Sequence, residues 1–249
     1  MAQEGALAGR VALITGATGL IGRAAAEALA RAGAALVLAC QRNLERAEEL
    51  GSECRRTHSV PTHALAFDVR DPRAVAVAVA SAASWRGGLD ILVTCHGLSP
   101  GQFLRFTAPE QVAETLAVNT IGTIYCVQAS LSHMNQRRFG RVVLVGSAAA
   151  RGRSQYAVYA ASKSALVGLV RAAAKEYASQ GVTFNVVSPG IVEGSPHTRG
   201  EHRDKLLAAF PGGRFVAPDE VGAAIVFLVS AAGVSLTGHE LVVDGAEVF

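Results

Sequence analysis

The sequence predicts an α/β fold: a doubly wound parallel sheet of about seven strands with helices on both faces. Three observations carry that expectation. Short aliphatic runs alternate with longer alanine-rich stretches along the chain. The first six runs are almost continuously apolar, as strands covered on both faces require. No repeat, linker or low-complexity stretch interrupts the alternation, so residues 1–249 are expected to form one domain.

Taken in order, strands are expected at Arg10–Thr15, Ala35–Cys40, Thr62–Phe67, Asp90–Thr94, Arg141–Gly146, Val182–Val187 and Glu240–Val243. Helices are expected between them, at Ile21–Ala32, Leu44–Arg55, Pro72–Trp85, Pro109–Gln136, Tyr156–Ser179 and Asp219–Ser230. Asp71-Pro72 and Thr107-Ala108-Pro109-Glu110 read as helix starts, each with a cap residue and a proline in the first turn. The stretch Val75-Ala76-Val77-Ala78-Val79 has the period of a strand, but its capped start, length and alanine content predict helix.

Composition narrows the class. Half the chain is apolar (50%), ample for a packed core and against general disorder. Lys and Arg number 23 against 20 Asp and Glu, a net +3 without a long basic run, so no nucleic-acid partner is expected. Arg, Glu, Gln or Gly breaks every apolar stretch before it reaches about 18 residues, so no membrane span is expected. Met1 to Arg10 lacks the basic flank and apolar run of a signal peptide. Cys40, Cys54, Cys95 and Cys126 are widely spaced, with no CxxC pair and no His at metal-ligand spacing. They read as reduced thiols of a cytoplasmic protein without a metal site.

Two motifs carry chemistry. After the first strand comes Thr15-Gly16-Ala17-Thr18-Gly19-Leu20-Ile21-Gly22, leading straight into a helix. Glycines there permit a tight turn and bring backbone N–H groups close to a pyrophosphate at the helix N-terminus. A mononucleotide loop would end in GKS or GKT, which is absent. The second motif, Tyr159-Ala160-Ala161-Ser162-Lys163, puts a phenol and an ammonium at i and i+4 on one helix face. A nearby cation favours the phenolate, so such a pair can exchange a proton with a substrate oxygen near neutral pH. Ser147 ends the fifth strand, where a doubly wound sheet opens its ligand crevice.

With these residues in that order the chain resembles the short-chain dehydrogenase/reductase family, in its single-domain branch, from Val11 to Gly245. Asn119 in Val118-Asn119-Thr120-Ile121-Gly122, Ser188-Pro189-Gly190, Thr237-Gly238 and Val243-Asp244-Gly245 complete the pattern. The resemblance implies a Rossmann fold, a nicotinamide cofactor and a carbonyl or alcohol substrate. It implies that Tyr159 is the general acid/base, that Lys163 holds the nicotinamide ribose and lowers the tyrosine pKa, that Ser147 orients the substrate oxygen, and that Asn119 positions a water relay. It also implies cofactor contacts from Gly16, Thr18, Gly19, Leu20, Ile21 and Gly22, from Asp68 and Val69 at adenine, from Gly97, Pro189, Gly190 and Val192, and from Asn119, Tyr159 and Lys163 themselves. Tyr156 is a rival phenol, but it lies at i+7 from the lysine, and the pattern selects Tyr159.

Three departures stand out. The family's TGxxxGxG is TGxxGxxG here, with Leu20 where the second glycine falls. Its NNAG is Thr94-Cys95-His96-Gly97, so His96 is either a cofactor contact or a tolerated neighbour. Gly194, beside Ser195, replaces a threonine after Pro189-Gly190, which puts one carboxamide contact in doubt. At the end of the second strand, Leu38-Ala39-Cys40-Gln41-Arg42-Asn43 contains no acid to bind the ribose hydroxyls of NAD(H). Arg42 instead suits the extra phosphate of NADP(H), which is therefore favoured, with NAD(H) kept as the alternative and a merely solvated arginine as the plainer reading.

The expectation for function is hydride transfer between NADP(H) and a carbonyl or secondary alcohol. The alternative is a catalytically silent dinucleotide-binding regulatory or scaffold protein. The loop from Ile191 to Val216 is expected to be a substrate lid, carrying His197, Arg199, His202, Arg203 and Arg214. Arg137, Arg138 and Arg141 either face an acidic carrier, as in 3-oxoacyl-[acyl-carrier-protein] reductases, or offset a helix C-terminus, the reading favoured. The surplus apolar faces of Pro109–Gln136 and Tyr156–Ser179 predict a homo-oligomer, a tetramer by analogy with the family.

Overall fold

The continuous aliphatic runs become strands whose residues alternate between two cores. The computed structural model describes residues 5–198, 203–208 and 210–246. The strands are β1 (Val11–Thr15), β2 (Ala35–Cys40), β3 (Thr62–Ala66), β4 (Ile91–Thr94), β5 (Gly140–Val145), β6 (Val182–Pro189) and β7 (His239–Val243). They form one parallel sheet in the order β3-β2-β1-β4-β5-β6-β7. The helices are α1 (Leu20–Arg31), α2 (Leu44–His58), α3 (Pro72–Trp85), α4 (Pro109–Leu116), α5 (Thr123–Arg137), α6 (Ala157–Tyr177), α7 (Arg203–Leu207) and α8 (Pro218–Val229).

Ala12 and Ile14 of β1 face a core shared with α1, α2 and α8, while Val11 and Leu13 face one shared with α3, α5 and α6. Leu13, Ile14, Leu36 and Leu38 are fully buried, each contributing about 2 kcal/mol relative to exposure. The repeated βα units thus pack helices on both faces, as the alternation predicts. No described helix is long and apolar enough to cross a membrane.

Local signals behaved unevenly. The Asp71 carboxylate caps α3, accepting from the N–H groups of Arg73 and Ala74. Val75 and Val79 lie on its buried face and Val77 outside, so the alternating stretch is helical. Thr107, by contrast, does not cap α4: its hydroxyl donates to the Phe103 carbonyl, and α4 starts from Ala108 with Pro109 in its first turn. Helix α2 runs on to His58, three residues past expectation, favoured by Arg55, Arg56 and His58 in its last turn. The single helix expected over Pro109–Gln136 is α4, a π-helical turn over Ala117–Gly122, and α5. That wider turn places the Asn119 side chain, as the site geometry shows.

Strand order reverses between β1 and β4, so the crevice lies beyond their carboxyl ends. The glycine turn follows β1, Cys40 ends β2 with Gln41 and Arg42 just after it, Asp68 follows β3, His96 follows β4, Ser147 follows β5 and Gly190 follows β6. Six separate stretches of sequence are thereby collected along one edge of the sheet.

Candidate active site

The glycine turn is built by close approach. Gly16 has φ +63°, and a Cβ there would lie 2.7 Å from the His96 backbone nitrogen. A Cβ on Gly22 would lie 2.2 Å from the Gly16 carbonyl oxygen, so the turn folds directly onto the start of α1. Gly19 caps that helix without a side chain, leaving first-turn N–H groups to face an anion in the crevice.

Two cavities adjoin here and share Gly19, Cys95 and Gly97 in their walls. The first, about 300 Å³, runs past Gly16, Thr18, Arg42, Asp68 and Val69. The second, about 360 Å³, is bounded by Leu20, Ile21, Gly22, Ser147, Tyr159, Gly190 and Val192. Pro189 stands just behind the latter wall, at the end of β6. A dinucleotide fits this arrangement: glycines keep the space between the cavities open, and the Ser195 hydroxyl, buried without a hydrogen-bond partner among the described residues, lies in the second wall.

At the ends of β2 and β3 the structure adds what local sequence could not show. An acid does reach this corner, from the neighbouring strand: Gln41 donates to Asp68 at 3.0 Å. Arg70 pairs with the same carboxylate at 2.6 Å, and these bonds hold its pKa down to about 2. Arg42 is exposed on the cavity wall and makes no hydrogen bond or ion pair among the described residues. The Cys40 thiol is buried and points to the Leu65 carbonyl. Arg23, also near the turn, is engaged by Glu53 at 2.8 Å.

His96 has both ring nitrogens occupied, Nδ1 by the Thr15 hydroxyl at 2.6 Å and Nε2 by Thr123 at 3.2 Å. Burial and the nearby Lys163 cation push its pKa down to about 3, so the imidazole is neutral. Its backbone, rather than a free ring nitrogen, is what it presents beside Gly16.

Asn119 is fully buried in the π-helical turn. Its amide clamps both backbone groups of Leu98: Oδ1 accepts from N–H and Nδ2 donates to the carbonyl, each at 2.8 Å. Nδ2 also donates to the Ser162 hydroxyl at 2.9 Å. This ties the loop after β4 to α6. Such π turns are enriched at functional sites because the inserted residue redirects a side chain. A Cβ on Gly97 would press against Asn119 Oδ1 at 3.3 Å and Lys163 Nζ at 3.4 Å.

Lys163 is buried and donates to the Val145 carbonyl at 2.8 Å. Burial pushes its pKa down to about 8. The Tyr159 phenol is raised by burial, while its hydrogen bond with Ser147 and the Arg153 cation pull the other way. The Lys163 ammonium is drawn to the carboxyl end of β5, where Val145 lies. Ser147 also accepts from the Ala149 N–H at 3.2 Å. The rival Tyr156 lines the same cavity, its ring 6.2 Å from that of Tyr159 and nearly perpendicular.

Gly194, in the place of the missing threonine, has φ +86°, and its N–H donates to the Thr198 hydroxyl at 3.0 Å. In the segment from Ile191 to Val216, Ile191, Phe210 and Phe215 make a small separate core, Val192 bridges to Val216, and Arg203 grips Glu193 through two hydrogen bonds. Arg199 and His202 lie outside the described residues, as does the side chain of His197.

A doubly wound sheet with a glycine turn, a two-part crevice and a phenol beside a serine defines a dinucleotide-binding protein equipped for proton transfer. Residues 16–245 match the family described as enoyl-(acyl carrier protein) reductase. A D-threitol dehydrogenase of Mycolicibacterium smegmatis is 37% identical, across 96% of this chain and 93% of that protein. A 3-oxoacyl-[acyl-carrier-protein] reductase of Vibrio cholerae is 32% identical, across 96% and 97%. A short-chain dehydrogenase/reductase from Serratia marcescens superposes with a TM-score of 0.90 at 33% identity, covering 96% of this chain and 98% of its own. The chain belongs to the short-chain dehydrogenase/reductase family, and it is an oxidoreductase of that family.

Proposed function

We propose that the enzyme moves a hydride between NADP(H) and a carbonyl or secondary alcohol, with Tyr159 as general acid/base, Ser147 orienting the substrate oxygen and Lys163 holding the nicotinamide ribose. The observation that carries this reading is that Ser147 and Tyr159 stand together in the wall of the second cavity, one helical turn from a buried lysine. The nicotinamide supplies the hydride chemistry when bound, and the protein supplies position and protons. Gly16, Gly19 and the first turn of α1 would hold the pyrophosphate. Asp68 and Val69 would flank the adenine. Gly97, Gly190, Val192 and Ser195 would line the nicotinamide end.

In reduction, Ser147 donates a hydrogen bond to the substrate carbonyl oxygen and Tyr159 gives it a proton. In oxidation the phenolate takes the proton back. Burial holds the proton on Tyr159, which suits it to donate. Asn119 keeps the Leu98 loop on α6, and so fixes the wall facing Lys163.

The NADP(H) preference is supported by Arg42 on the first cavity, unpaired among the described residues, and by Arg70, which engages both carboxylates of that wall, Asp68 and Glu114. The same proposal takes residues 1–249 as one domain, 191–216 as its lid, four free thiols as signs of a cytoplasmic protein, and a homotetramer as the assembly. Exposed Ile121 and the outward alanines Ala161, Ala165 and Ala172 of α6 supply apolar surface for that assembly.

Tyr159→Phe tests the mechanism. It should leave cofactor binding intact and lower kcat on a reducible ketone by at least about 100-fold, whereas Tyr156→Phe should be far milder. Turnover near wild type in Tyr159→Phe would overturn the assignment.

A further inference from the structure

Among the described residues, Arg153 is the one charged side chain in the wall of the second cavity, where Tyr159 and Ser147 also lie. It is half-buried, and its guanidinium sits 5.1 Å from the centre of the Tyr156 ring. That ring in turn meets Tyr159 edge-on. Three arginines bordering cavities or the lid have carboxylates, Arg70 with Asp68, Arg203 with Glu193 and Arg214 with Glu220, while Arg42 in the first cavity is, like Arg153, without one among the described residues. Among the described residues Arg153 makes no side-chain hydrogen bond or ion pair, and no Asp or Glu of those residues lines its cavity. A guanidinium presents a planar fork of donors matched to a carboxylate, and removal from water without a partner is costly.

We propose that Arg153 binds a carboxylate on the substrate, so that the substrate class is a small oxo acid and its hydroxy acid. This rests on the hydride-transfer reading above. With the carbonyl held between Ser147 and Tyr159, the far end of the molecule runs over Tyr156 to the guanidinium. The cavity, about 360 Å³ including space for the nicotinamide end, leaves room for a short acid. Arg153 also acts on the phenol itself, its charge pulling the Tyr159 pKa down, which places the two groups within electrostatic reach.

The test uses the enzyme with NADPH and three acids, pyruvate, acetoacetate and levulinate, each beside its methyl ester. For the preferred chain length, kcat/KM should favour the acid by about 10- to 100-fold, as expected for bonds to a charged group. Arg153→Met should bring that ratio close to one, mainly through KM for the acid, and Arg153→Lys should retain part of it. Arg151→Met, an exposed arginine nearby, should leave the ratio unchanged. An acid without advantage at every length, a ratio that survives Arg153→Met, or a loss confined to NADPH affinity would overturn the proposal.

Calorimetric titration of the same acids and esters into the enzyme with oxidised cofactor separates this inference from the reading beneath it. If acids bind through Arg153 but are not reduced, the carboxylate assignment stands and hydride transfer to them falls. If esters are reduced and acids gain nothing, hydride transfer stands and the assignment falls. Failure of every acid to bind also overturns it.

Discussion

Replacing Lys163 by Met should change how the stability of the cofactor-free protein depends on pH, by an amount set by the burial of the ammonium. The side chain is 5% exposed, and Nζ donates to the Val145 carbonyl. Burial lowers its pKa from 10.5 to about 8. Below that lower value both folded and unfolded chains carry the charge, and the fold bears the full cost of burying it, about 3 kcal/mol. Between the two values the unfolded chain holds more protons than the folded one, so stability rises with pH and the cost is relieved. The Met variant has no such group. Urea unfolding of both proteins at about pH 7.5 and about pH 9.5 should show the difference, wild type minus variant, rising by about 2 kcal/mol. Cys54, Cys95, Cys126 and Tyr159, all raised by burial, act with the opposite sign. They are common to both proteins and largely cancel in the difference. A difference that stays flat or falls with pH would refute the reasoning, because Lys163 would then be as well solvated folded as unfolded.

Arg42→Ala should weaken NADPH binding by about 10- to 100-fold and leave NADH nearly unchanged, measured by titrating both cofactors. Tighter binding of NADH by the wild type would remove the preference altogether. Gly22→Ala places a methyl carbon 2.2 Å from the Gly16 carbonyl. It should destabilise the fold by about 1–3 kcal/mol and lower affinity for either cofactor, and a variant with wild-type melting and binding would mean that the turn yields freely. Light scattering at micromolar concentration should report a tetramer, whereas a monomer would leave the exposed apolar surface without its assigned role.

The sheet was legible because its signals are local. A strand buried on both faces must be apolar at consecutive positions, and a capped alanine-rich stretch must bury one helical face. These constraints act over a few residues, and β1 to β7 fall close to their expected positions for that reason. The motif residues were legible in the same way, since Tyr159 and Lys163 share a helix face and the Gly16–Gly22 turn is continuous in sequence.

What tertiary structure decided depends on residues distant in the chain. Asp68 meets Gln41 only because β3 lies beside β2, so a second strand read by itself lacked its acid. The π-helical turn at Asn119 carries no periodic signal of its own, and its side chain is held by partners at Leu98 and Ser162. Sequence shows a histidine at position 96 but not that Thr15 and Thr123 close on its ring. Arg153 gave no signal either, being a loop arginine among several, until folding set it in a cavity without an acid. Pattern reports which residues must leave water. Which charges lose their solvent, and which partners they find, follows from packing between segments far apart in sequence.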